Sequence, residues 1–141
     1  MAINIQQLKS DLIHDEGVVQ HAYQDHLGYW TIGVGRLIDG RKGGQLSMDE
    51  IEYLLNNDIK RIIKELDNNI SWWVSLSDAR KLAIANMCFQ LGITKLLKFK
   101  NMLSAMRSGN FDKAADEALD SLWAKQTPSR ANRIADIIRG V

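Results

Sequence analysis

Two carboxylates and a hydroxyl lie close together near the start of the chain. Glu16 precedes Gly17 and the apolar pair Val18-Val19; Asp25 follows nine residues later, and Thr31 six residues after that. A hairpin folded back on the end of a helix would bring all three to one surface. If one carboxyl is partly desolvated and raised in pKa while the other stays wet and ionised, the pair suits glycoside hydrolysis. That reaction needs an acid for the leaving oxygen and a base or nucleophile for the anomeric carbon. The same residues also read as a turn aspartate and a solvated helix end, and spacing alone favours that plainer reading. The glycines tilt the balance back. The strand face that carries Thr31 is otherwise glycine, at 33 and 35, and strand glycines are tolerated where something large approaches closely.

Other chemistries are poorly supported. His14, His21 and His26 lack the i, i+4 spacing of a helical zinc motif, and there is no second cysteine, so no metal site is expected. Gly33-Val34-Gly35 lacks the third glycine and the following helix that would cradle a phosphate. Lys95, Lys98 and Lys100 form a modest cluster in a chain of near-neutral pI, which argues against a nucleic-acid partner. Cys88, inside Met87-Cys88-Phe89, reads as a small buried hydrophobe rather than a nucleophile.

The elements that must position the carboxylates follow from hydrophobic period. Ile5, Leu8, Leu12 and Ile13 make a helical stripe, closed by Gly17. The period then changes: Trp30, Ile32 and Val34 share one face of a strand, with Ala22-Tyr23-Gln24 as its partner and Asp25-His26-Leu27-Gly28 as the turn. A loop, Gly40-Arg41-Lys42-Gly43-Gly44, follows the hairpin. Ser47-Met48-Asp49-Glu50 is a capping box that opens a helix of about 20 residues, roughly 30 Å long. Three further helices are expected: one capped by Ser77 and ending at Leu91-Gly92, one from about Phe111 to Trp123 after Gly109 closes a shorter segment, and one opened by Thr127-Pro128. The layout is a small α+β lobe, a long connecting helix and a larger helical lobe.

Composition agrees. The chain has 141 residues, 45% apolar and 25% charged, which suits one globular domain and argues against disorder. No apolar run approaches the ~18 residues of a membrane span, so no stable membrane insertion is expected. The single cysteine forbids an internal disulfide. The net charge of +1 hides an asymmetry: residues 1–70 carry 7 basic and 11 acidic side chains, and residues 71–141 carry 11 and 6.

As text, these segments are specific. Asp15-Glu16-Gly17, Tyr23-Gln24-Asp25 and Gly28-Tyr29-Trp30-Thr31-Ile32-Gly33-Val34-Gly35 resemble the active-site region of the phage-type lysozymes, typified by the T-even bacteriophage enzyme. The resemblance continues in Ala85-Asn86-Met87-Cys88-Phe89-Gln90-Leu91-Gly92 and in Trp123-Ala124-Lys125-Gln126-Thr127-Pro128-Ser129-Arg130-Ala131-Asn132-Arg133. It covers about residues 8 to 140.

The resemblance implies an α+β, mainly helical, two-lobed lysozyme-like fold with an active-site cleft between the lobes. It implies a single catalytic domain over 1–141, with the small lobe at about 12–60 and the helical lobe at about 61–141 plus the N-terminal helix. The activity implied is cleavage of the β-1,4 bond between N-acetylmuramic acid and N-acetylglucosamine in bacterial peptidoglycan. Glu16 then matches the catalytic acid, protonated near neutral pH. Asp25 matches the second carboxylate, and Thr31 the residue that helps place it and the attacking water. Leu37, Phe89, Gln90 and Arg130 match substrate-binding positions. Inversion is the outcome the family implies.

Several positions depart from the family pattern. Arg36 stands where the T-even enzyme has histidine, and the stretch before the capping box is shorter. Met102 and Glu117 replace a cleft serine and asparagine. No metal or organic cofactor is implied, because two carboxyls and a water complete the chemistry. The opening residues do not read as a signal peptide. The resemblance therefore implies a monomeric endolysin held in the host cytoplasm until a separate holin opens the membrane. A lytic transglycosylase, a wall-binding descendant without activity and a helical interaction domain are the competing readings. The retained Asp25 and Thr31 weigh against the first two, and the hairpin glycines against the third.

Overall fold

A computed structural model describes residues 4–38 and 46–140. The chain divides into two compact units, Met1–Tyr53 and Leu54–Val141.

The first unit begins with α1 (Ile5–Glu16), whose N-terminus is capped by the Asn4 side chain accepting from the Gln7 amide. At its other end Gly17, at φ 74°, donates its N–H to the Ile13 carbonyl and turns the chain. The strands β1 (Val19–Gln24), β2 (Trp30–Gly33) and β3 (Arg36–Leu37) form an antiparallel sheet in that order. The expected hairpin is thus the first two strands of three. Val34 and Gly35 lie in the turn to β3 rather than on the strand, because Gly33 and Gly35 both take positive φ and end the pleat. β1 starts three residues before the expected Ala22, and its register shifts between Val19 and Tyr23. Placed against its neighbours, Thr31 faces Tyr23 on one side and Leu37 on the other. Directly opposed residues point to the same face, so these three share one side of the sheet. The expected loop Gly40–Gly44 lies outside the described residues.

The capping box forms as read. Ser47 Oγ accepts from the Glu50 amide at 3.2 Å, and Glu50 Oε1 accepts from the Ser47 amide at 3.0 Å. The second Glu50 oxygen pairs with Arg36 of β3, so one carboxylate caps α2 (Met48–Asn69) and ties its start to the sheet.

The second unit is helical. After the later part of α2 come a short 3-10 turn (Ser71–Ser75), α3 (Asp78–Leu91), α4 (Ile93–Leu96), α5 (Lys100–Arg107), α6 (Phe111–Leu119), α7 (Leu122–Gln126) and α8 (Pro128–Arg139). The helix expected from Phe111 to Trp123 is two helices. Ser121 breaks it, because its hydroxyl accepts from the Ala124 amide at 3.1 Å and caps α7 instead of continuing α6. Ser77 and Pro128 start their helices as expected.

The core is built on Ile62, Leu66 and Ile70 of α2 and its end, Ile84 and Met87 of α3, Met102 and Met106 of α5, and Ile134 and Ile138 of α8. Small residues at 114, 115 and 118 on α6 and at 131 and 135 on α8 are fully buried, which lets those two helices pack closely. Arg80 closes the end of α8. Its Nε donates to the Ile138 carbonyl at 2.7 Å and one terminal nitrogen to that of Arg139 at 3.2 Å, while its plane lies 3.5 Å from the Phe111 ring centre. These bonds satisfy helix-end carbonyls that have no partner within the helix.

Leu66 is 0% exposed at the centre of this core. Truncating it removes packed methyl groups and leaves a void. Leu66→Ala should lower stability by about 2–5 kcal/mol, read as a shift in the urea midpoint at unchanged slope.

Candidate active site

Asp25 sits where β1 ends, and its turn is held by its own side chain. Oδ1 accepts from the Leu27 and Tyr29 amides, each at 2.9 Å, and the Asp25 N–H donates to the Tyr29 carbonyl at 2.8 Å. The same Tyr29 carbonyl accepts from Thr31 Oγ1 at 3.2 Å. One peptide oxygen therefore joins Asp25 to Thr31. The Thr31 hydroxyl proton is committed to that carbonyl, which leaves the oxygen as an acceptor for a water proton. Thr31 is 4% exposed, buried by its place on the central strand.

The turn also fixes the charge state of Asp25. The Tyr29 amide is the chief cause that holds its carboxyl below the ordinary value of 3.8; desolvation, next in size, opposes it, and the Leu27 amide and the His26 charge add to the lowering. A depressed folded pKa stabilises the turn above the unfolded value and is lost as pH falls through the lower one. The Leu27 and Tyr29 amide resonances should therefore hold their positions at neutral pH and titrate only below 3.8.

Glu16 is the last residue of α1, and its side chain lies over the β2–β3 turn. A Cβ built on Gly35 would sit 2.6 Å from Glu16 Cδ and 2.9 Å from Cγ. The space beside Gly33, by contrast, is open. Only one of the two glycines thus leaves room for an approaching molecule; the space beside the other is filled by Glu16 itself. Glu16 is exposed and Asp25 half-buried. Glu16, Asp25, Thr31 and Leu37 all belong to the first unit.

Phe89, Gln90 and Arg130 belong to the second unit. Phe89 and Arg130 line a largely apolar groove of about 630 Å³ with Leu55, Ile59, Ile63 and Leu82. Arg130 is anchored there by Asn86, whose Oδ1 accepts from its Nε at 2.9 Å. Gln90 engages a different partner: its Oε1 accepts from Trp123 Nε1 at 2.9 Å. Trp123 packs edge-on against Phe99, with ring centres 6.1 Å apart, and both line a second pocket of about 490 Å³. Met102 is buried beneath that pocket and Glu117 stands on its wall. Asn86 and Trp123 were legible only as letters within the family-like stretches; their bonds to residues 44 and 33 positions away show what they hold.

A mainly helical chain with a small three-stranded antiparallel sheet is a lysozyme-like α+β protein. It belongs to the phage lysozyme family, whose model matches residues 14–135, and so to the lysozyme class of glycoside hydrolases. It is 32% identical to "Probable T4-type lysozyme 1" of Dictyostelium discoideum, over 95% of this chain and 94% of that protein. It is 34% identical to "Pre-baseplate central spike protein Gp5" of Enterobacteria phage T4, over 90% of this chain but 26% of that much longer protein. An "Endolysin" of Acyrthosiphon pisum secondary endosymbiont phage 1 is 27% identical over 78% of this chain and 72% of its own length. Among the described residues, no helix is long and apolar enough to cross a membrane.

Proposed function

We propose that this chain is an endolysin that hydrolyses the β-1,4 bond between N-acetylmuramic acid and N-acetylglucosamine in bacterial peptidoglycan. Glu16 donates a proton to the leaving oxygen. Asp25, ionised, takes a proton from a water that Thr31 Oγ1 helps to hold, and the water attacks the anomeric carbon from the opposite face with inversion. The observation that carries this reading is the Tyr29 peptide, which bonds both Asp25 and Thr31 and so presents a carboxylate and an acceptor oxygen as a fixed pair.

The side chains of Leu37, Phe89, Gln90 and Arg130 contact the sugar polymer or its peptide stems in this reading. Exposed Leu37 lies beside Thr31 on the sheet and supplies an apolar contact. The enzyme acts as a monomer on the wall of the phage host, reaching it from the cytoplasm through the lesion made by a holin.

Product mass tests the chemistry. Digested peptidoglycan should release muropeptides with a hydrated reducing end. Fragments lighter by one water throughout would mark a transglycosylase and overturn hydrolysis. Insoluble wall material that binds the protein without releasing sugar would mark a binding module. The anomer formed first, followed by proton NMR, should be α.

A further inference from the structure

The Glu16 side chain occupies the position where any residue but glycine at 35 would carry its Cβ. The built Cβ lies 2.6 Å from the carboxyl carbon and 2.9 Å from Cγ, whereas ordinary contact begins near 3.4 Å. Gly35 also has φ +60°, in the left-handed region that favours glycine. The two facts have different consequences. Positive φ is satisfied by asparagine as well, at a modest cost. The missing Cβ is satisfied by glycine alone.

We infer that Gly35 is a positioning residue for the reaction, its empty side-chain position being the slot in which the Glu16 arm is seated. This rests on the reading of Glu16 as the acid. The arm leaves the final residue of α1, just before Gly17 turns the chain into the sheet, so its root is fixed by the helix end. Its tip lies against Gly35 in the β2–β3 turn. A methyl group in the slot forces the carboxyl to move by about 1 Å, a displacement that costs on the order of 10²-fold in rate when it misplaces a reacting group.

Two variants separate space from backbone. Gly35→Asn keeps the tolerance for positive φ and adds the Cβ; Gly35→Ala adds the Cβ with more strain. Both should lower kcat about 10²-fold with KM changed by less than about threefold. Shortening the arm should relieve the conflict, so Gly35→Asn should cost several-fold less in a Glu16→Asp background than in the wild type. A folded Gly35→Asn enzyme with wild-type kcat would overturn the proposal.

A stability cycle reads the contact without using activity. Gly35→Ala should destabilise less when Glu16 is alanine than when it is intact; strictly additive effects would remove the slot. That outcome is distinct from failure of the functional reading, which an active Glu16→Gln enzyme would show.

Discussion

Glu16→Gln should reduce the clearing of bacterial walls by about 10²–10⁴-fold, the usual contribution of a positioned acid or base. The amide keeps the length and shape of the arm over Gly35 but cannot supply a proton to the leaving oxygen. Because Glu16 is exposed, the change in stability should stay within about 0.5 kcal/mol. The measurement is turbidity loss on purified walls, with far-UV dichroism and the urea midpoint as controls for folding. A folded variant that clears walls at a near-normal rate would remove Glu16 from the mechanism.

Asp25→Asn is the second large effect. Asparagine suits the turn and keeps one acceptor for the Leu27 and Tyr29 amides, so the sheet should form. It cannot take the proton from water, and activity should fall by about 10²–10³-fold. The variant also carries a signature that a damaged fold would not give. Asp25 contributes to stability as the ionised group, and its pKa in the folded protein is lowered, chiefly by the Tyr29 amide. The variant should be less stable than the wild type at neutral pH, and the gap should close as pH falls below 3.8, when the wild-type carboxyl takes up a proton and is uncharged like the amide. A gap that persists to lower pH would mean that the charge on Asp25 does not hold the turn.

The parts of this fold that could be read in advance are those set by neighbours in sequence. Ser47 and Glu50 cap each other across three residues, Asp25 organises a turn two to four residues long, and Pro128 needs only its own ring to start α8. Each signal is local and chemically narrow. β3 escaped because two residues cannot show an alternation; only pairing with Thr31 and Ile32 makes Arg36 and Leu37 a strand. The break at Ser121 escaped because Phe111 to Trp123 has a continuous helical period, which a single side-chain hydroxyl overrides.

The site divides along the same line. Its carboxylates and threonine were visible by type and spacing, and the bond network through Tyr29 follows from the turn chemistry of Asp25. What fills the space beside Gly35 was not visible, since a glycine shows only that room exists. Gln90 and Trp123 likewise meet through folding alone.

Cys88 is 1% exposed in the helical unit, and burial pushes its thiol pKa up, with Glu65 acting in the same direction. The thiolate is the reactive form, so a labelling reagent is refused twice, by access and by ionisation. Since the chain has no other cysteine, the rate at which a reagent captures this one times the openings of the core around it. The protein carries its own clock for breathing, readable at a single atom without adding a probe.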